Sequence, residues 1–243
     1  MILKNQWKEF FDQVYVINLP YRSDRRTETI AELKAIGFGV NDFTFFEASR
    51  PQDAGKFPSI GSRGCFESHL RVMKDALENG YDKVLILEDD VSISKKWMIE
   101  DYKYIDELNS SDWDIVYFGY EIFEGLNLNS NNSFQLWNHK VQTTHFYALN
   151  SSVLAKLIVF LELVLSRSPG DPLGGPMHVD GAISTFREQN VEVVTLLSIP
   201  CLATQRASKT DIGSDKFFDS VLIVKDVVAI ARRIKNALIR LGK

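Results

Sequence analysis

Four apolar residues run straight into three carboxylates, Val84-Leu85-Ile86-Leu87 and then Glu88-Asp89-Asp90. No other stretch constrains the chain as tightly. A short run of β-branched and aliphatic residues suits a strand of a parallel sheet covered on both faces. Ligands of open α/β sheets collect beyond the carboxyl ends of such strands. Three acids crowded at one strand end repel one another unless a cation holds them. Mg²⁺ or Mn²⁺ does this through one or two carboxylates and keeps phosphate oxygens as further ligands. A solvated acidic loop is the alternative, and these residues alone do not separate the two.

The rest of the chain fits an α/β alternation. Val14 to Leu19 is expected as a first strand, broken by the turn Pro20-Tyr21-Arg22-Ser23. Ser23 or Asp24 can cap a helix striped by Ile30, Leu33 and Ile36, and Gly37 ends it. Strand, turn, helix is how a nucleotide-binding α/β unit begins. Phe43 to Phe46 reads as a second strand and 49–64, with its prolines and glycines, as a loop. A helix from about Arg63 to Asn79 precedes the Val84 strand, and a short amphipathic piece from Trp97 to Leu108 follows it. Strands are expected at 115–118, 144–149 and 191–197, with helices from Asn150 or Ser151 to Leu165 and from Val179 to Gln189. The polar stretch 127–138, with five asparagines, reads as a surface excursion. Three prolines and three glycines between Ser166 and Met177 mark a loop of the functional or mobile kind.

Totals narrow the function classes. A chain of 243 residues, 45% apolar and 25% charged, can bury one sizeable core. A net charge of −4 argues against a general nucleic-acid binder. A metal-dependent phosphohydrolase or nucleotidyltransferase using the same acids is a rival reading, and the absence of a P-loop GxxxxGK[ST] weighs against it. Cys65 and Cys201, without a CxxC, suggest reduced thiols, and a cytoplasmic catalytic body is expected. From Lys216 the character changes. Apolar residues recur at helical spacing, and 221–243 carry six basic residues against one acid. We therefore expect a domain over 1–215 and a basic amphipathic helix over 216–243. That helix either docks on the domain or touches an anionic membrane from the inner face.

Several short segments, in order, carry a family resemblance. They are Val16-Ile17-Asn18-Leu19 with Arg22, Asp24 and Arg25, then Gly64-Cys65 with Ser68-His69, then Leu85 to Asp90. They continue through Asp112 to Ile115, Tyr147 to Leu149, Val179-Asp180, and Pro200 to Ser208. Together the chain resembles glycosyltransferase family 25, which includes lipopolysaccharide galactosyl- and glucosyltransferases and collagen β-galactosyltransferases.

The resemblance implies a GT-A type α/β fold with a mostly parallel, Rossmann-like sheet. It also implies inverting, metal-dependent transfer of a hexose from a UDP-sugar to a saccharide or lipid-linked glycan acceptor. An inactive UDP-sugar-binding paralogue is the rival in the binding class. By that likeness Glu88 and Asp90 are the outer acids of a DxD-like motif, with Asp90 reaching Mn²⁺ or Mg²⁺ and Asp89 near the ribose. Arg22 and Arg25 would face the nucleotide, although ion pairs with Glu28 or Glu32 along the helix would also satisfy them. Asn18, polar at a strand end, must satisfy a turn or a ligand. Gln205 and Ser208 would close the nucleotide site. His178 is a candidate late metal ligand and Asp180 a candidate general base, with Asp171 and Glu121 in reserve. A helix-capping role is the plain alternative for Asp180. His69 reads as a buried histidine hydrogen-bonded within the core, and Gly64 as a point of close chain approach.

Overall fold

The computed structural model describes residues 6–128 and 131–206. The expected basic helix over 216–243 and Ser208 lie outside the described residues. The chain begins with α1 (Trp7–Phe10), β1 (Gln13–Asn18), α2 (Ser23–Ala35), β2 (Thr44–Glu47), α3 (Ile60–Glu78) and β3 (Lys83–Glu88). It continues through β4 (Val91–Ile93), α4 (Lys96–Ile99), α5 (Asp101–Ser110), β5 (Ile115–Glu121), β6 (Phe134–Leu136) and β7 (Gln142–Asn150). The last described elements are α6 (Ser151–Ser166), α7 (Val179–Gln189), β8 (Thr195–Ser198) and β9 (Ala203–Gln205).

The sheet order is β2-β1-β3-β7-β5-β8-β6, with β4 and β9 paired beside it. β1 runs parallel to β2 and β3, and β5 runs parallel to β8. β7 is antiparallel to both of its neighbours, and β6 is antiparallel to β8. The strands β2, β1, β3, β5 and β8 therefore share one direction, and the sheet is mixed but mostly parallel. Alternate side chains of each central strand feed two cores. Tyr15, Ile86, Tyr117 and Tyr147 pack with Phe66, Met73, Leu157 and Phe186 from α3, α6 and α7. Val16, Leu87, Phe118 and Phe146 pack on the other face with Trp7, Leu33, Trp97 and Tyr104 from α1, α2, α4 and α5. Helices on both faces explain why β3 and β5 read as continuous apolar runs.

Several boundaries differ from the sequence reading. α3 begins at Ile60 and takes in the end of the expected 49–64 loop. Ser59 caps it: its hydroxyl accepts from the Ser62 amide, and the Ser62 hydroxyl accepts from the Ser59 amide. α2 is preceded by Arg22 at the N-cap, with Ser23 already helical, so neither Ser23 nor Asp24 is the cap. The polar excursion holds β6, because Phe134 and Trp137 bury themselves against the sheet while the asparagines around them stay polar. β8 starts only at Thr195, since 191–192 form a turn that leaves Val191 exposed. Among the described residues, no helix is long and apolar enough to cross a membrane.

Candidate active site

The parallel pair β1 and β3 ends in step, with Ile17 opposite Glu88, so Asn18 and the acids leave the sheet side by side. Here a cavity of about 270 Å³ opens, walled by the start of α3, the loop after β2 and the three acids. Its outer wall depends on Gly64. A Cβ there would lie 2.8 Å from the Ser49 carbonyl oxygen, so only glycine lets the loop touch the helix. One turn on, the Ser68 hydroxyl accepts from the Ser49 amide at 2.8 Å and donates to the Gly64 carbonyl at 2.6 Å. Cys65 and His69, shifted by one residue, line the cavity along with Gly64 and Ser68.

The three carboxylates have three different partner sets. Asp89, 6% exposed, accepts from Asn18 Nδ2 at 2.7 Å and Arg25 Nη1 at 2.8 Å. Its carbonyl oxygen accepts from the Thr29 hydroxyl at 2.7 Å and from Arg206 at 2.5 Å. Glu88 meets His69 Nε2 at 3.3 Å, the Thr144 hydroxyl at 3.2 Å and Gln205 Nε2 at 3.3 Å. Asp90 has Arg25 at 3.5 Å from its Oδ2, while its Oδ1 is buried with no hydrogen-bond partner among the described residues.

Charge follows these contacts. Burial, then the charge of Glu88, pushes the Asp90 carboxyl up to about 7, against the pull of Arg25. Burial would raise Glu88 too, but the hydrogen bond and charge of His69, with His145 and Thr144, hold it below the usual value. Burial pushes the Cys65 thiol well up, and the negative charges of Glu88, Asp180 and Asp90 add to that.

Of the residues singled out in the sequence, Asn18, Arg25, Glu88, Asp89, Asp90 and Gln205 converge on this point. Arg25 pairs with Asp89 and Asp90 at the site. Arg22 instead pairs with Asp24 at 2.8 Å and does not line the cavity, and its guanidinium holds the Asp24 carboxyl down at about 2. His178 is exposed at the N-cap of α7, also away from the cavity lining. Asp180, half-buried in the first turn of α7, accepts from the Thr143 amide at 3.0 Å and the Gly181 amide at 2.7 Å. Asp171 sits in the Gly/Pro loop, where it accepts from the Leu173 amide, and Glu121 is exposed at the end of β5.

The sequence reading missed part of the site. His69 is fully buried, as expected, yet its ring links Tyr147 to Glu88 and so belongs to the acid cluster. Thr144 and Arg206 come from segments far along the chain, and no local pattern marks them. Arg50 lies over the ring of Tyr21 with 4.8 Å to the centroid, and both line the cavity. The tyrosine in the turn after β1 was the available signal.

The acids fit a hard divalent cation. An unpartnered, buried carboxylate oxygen lining an acid-rich cavity is the donor such an ion takes. Asp90, with Glu88 alongside, would hold it.

This mostly parallel sheet flanked by helices is structurally similar to the GT-A glycosyltransferase fold. A solved glycosyltransferase involved in glycosylation of the major capsid of PBCV-1 shares the fold, with a TM-score of 0.51, 11% identity, and coverage of 82% of this chain and 93% of that one. The model of Glycosyltransferase family 25 (LPS biosynthesis protein) matches residues 11–165, and the chain belongs to that family. Among curated relatives, human procollagen galactosyltransferase 2 is 26% identical over 129 residues, covering 45% of this chain and 21% of that protein. Procollagen galactosyltransferase 1-B of Xenopus laevis is 29% identical over 133 residues, covering 46% and 22%. The human inactive glycosyltransferase 25 family member 3 is as similar, 26% over 129 residues, covering 45% and 22%. The match spans about a fifth of the length of these relatives.

Proposed function

We propose that this family 25 glycosyltransferase moves a hexose, galactose or glucose, from a UDP-sugar to a saccharide acceptor with inversion at the anomeric carbon. The observation that carries this reading is the acid cluster lining the cavity, with Asp90 Oδ1 unpartnered among the described residues. The galactosyltransferase names of the relatives support a hexose as the transferred group.

When bound, Mn²⁺ or Mg²⁺ supplies neutralising charge for the departing diphosphate. The chain's own residues do the remaining work. Arg25 and Asn18 fix Asp89, which keeps the turn after β3 in place and aims Asp90 into the cavity. Tyr21 under Arg50 offers a flat face at the cavity wall on which a uracil ring can stack. Asp180 serves as the base that takes the acceptor hydroxyl's proton, because an inverting displacement by an alcohol needs one. Its place after the Gly/Pro loop, in the first turn of α7, puts it where that loop could close over an acceptor. The basic stretch 221–243 is proposed to bring the enzyme to a lipid-linked acceptor on an anionic surface.

A second reading, a sugar-nucleotide binder without turnover, is favoured by the equal similarity to an inactive family member. UDP release from UDP-galactose, UDP-glucose and their N-acetyl forms, with Mn²⁺ and a range of saccharide acceptors, separates the two. Acceptor-dependent release from one hexose donor is the expected result. Donor binding with no release from any of them would establish the second reading.

A further inference from the structure

Cys65 and His69 stand one helical turn apart on α3 and face the same way. Their sulfur and ring nitrogen, with a Glu88 carboxylate oxygen, all lie within 4.8 Å of one another at the cavity floor. Sulfur, imidazole and carboxylate together are not the donor set of Mg²⁺, which takes oxygen. They are the set of a thiophilic ion, and three protein donors with one open position is the usual plan of an accessible zinc site.

We propose that Cys65, His69 and Glu88 bind a thiophilic divalent cation of the Zn²⁺ class, in a site that does not use Asp90 but shares Glu88 with the hard-cation site. The groups behind the donors are already in place. His69 Nδ1 meets the Tyr147 hydroxyl at 2.9 Å, which fixes the ring with Nε2 turned to Glu88. Thr144 and Gln205 in turn orient the Glu88 carboxylate. Such outer partners set the tautomer and angle of metal ligands. Ligands of a tetrahedral zinc stand about 3.5 Å apart; His69 and Glu88 are already 3.3 Å apart, so the Cys65 sulfur is the donor that must close. Rotation of the Cys65 side chain supplies that movement while Glu88 stays on its partners. On binding, the Cys65 thiol releases its proton to water and the thiolate takes the metal. The open fourth position faces the cavity. Because Glu88 is shared, zinc here draws on an acid of the donor site.

The test needs no sugar nucleotide, so it stands apart from the question of transfer. Co²⁺ is titrated into the full chain in excess Mg²⁺, which fills oxygen-only sites. We expect a thiolate-to-cobalt charge-transfer band in the near ultraviolet, bleached by Zn²⁺. Cys65→Ser should abolish the band and weaken Zn²⁺ at least tenfold, whereas Cys201→Ser and Asp90→Asn should keep it. The absence of a band, its survival in Cys65→Ser, or its loss in Cys201→Ser would overturn the site. A second measurement on the unaltered chain guards against misfolded variants. Zn²⁺ should protect Cys65 from alkylation, as read by peptide mass, and equal labelling with and without Zn²⁺ contradicts the proposal.

Discussion

Asp90 and Asp89 are neighbours in the chain and opposites in environment. Asp89 has an arginine and an asparagine on its two oxygens, while Asp90 has a buried oxygen with no partner among the described residues. An aspartate at about 7 folded and near 3.8 unfolded keeps its proton between those values only when folded. Stability from this group therefore falls as pH rises through that window. Asn cannot ionise, so Asp90→Asn should stabilise the metal-free protein, and by more at about pH 8 than at about pH 5. Thermal unfolding in chelator checks this, and an equal gap at the two pH values would contradict it. The acid triplet and Asn18 were legible in the sequence because a polar residue ending an apolar strand has few structural uses. The division of labour among the acids was not, since it depends on Thr29, Thr144 and Arg206, placed by long-range folding.

At the level of elements, α3 is the part on which the cavity depends. Gly64→Ala should gain a little helix propensity, roughly 0.5–1 kcal/mol. The new methyl would meet a backbone carbonyl at 2.8 Å, with Pro51 at 3.2 Å, so the loop must move at a cost of about 1–3 kcal/mol. We expect lower stability in urea, unchanged helix content by circular dichroism, and weaker UDP binding. A more stable variant would show that the contact has slack. α7 carries the second element-level prediction. Asp180 accepts the amide of Thr143, a β-branched residue at φ 70°, and so helps hold a strained residue near the start of β7. Asp180→Asn should lower transfer by about 10² to 10⁴ and leave donor affinity within about threefold. Collapse of donor affinity, measured by calorimetry, would move Asp180 into the nucleotide site and leave the base to be found. Gly64, the strands with long apolar runs and the helix after Asn150 could be read from local pattern. The three-residue strands β4, β6 and β9 could not, because three residues are too few to show an alternation.

Across the whole molecule, the alternation of strands and helices pointed to an α/β sheet, but β7 running against both neighbours carried no signal in its own sequence. Strand direction is set by how the chain crosses the sheet, and a strand buried on both faces looks alike either way up. The arrangement still leaves β1 and β3 parallel and adjacent, and the cavity opens at their shared end. The central claim is that this cavity holds the diphosphate of a sugar nucleotide through a cation on Asp90. Calorimetric titration of UDP into the full chain, with and without Mn²⁺, and into Asp90→Asn tests it directly. The account predicts saturable binding in Mn²⁺, weakened by about 10² or more when the metal is removed or Asp90 is replaced. UDP bound equally well without metal, or by Asp90→Asn, would contradict it.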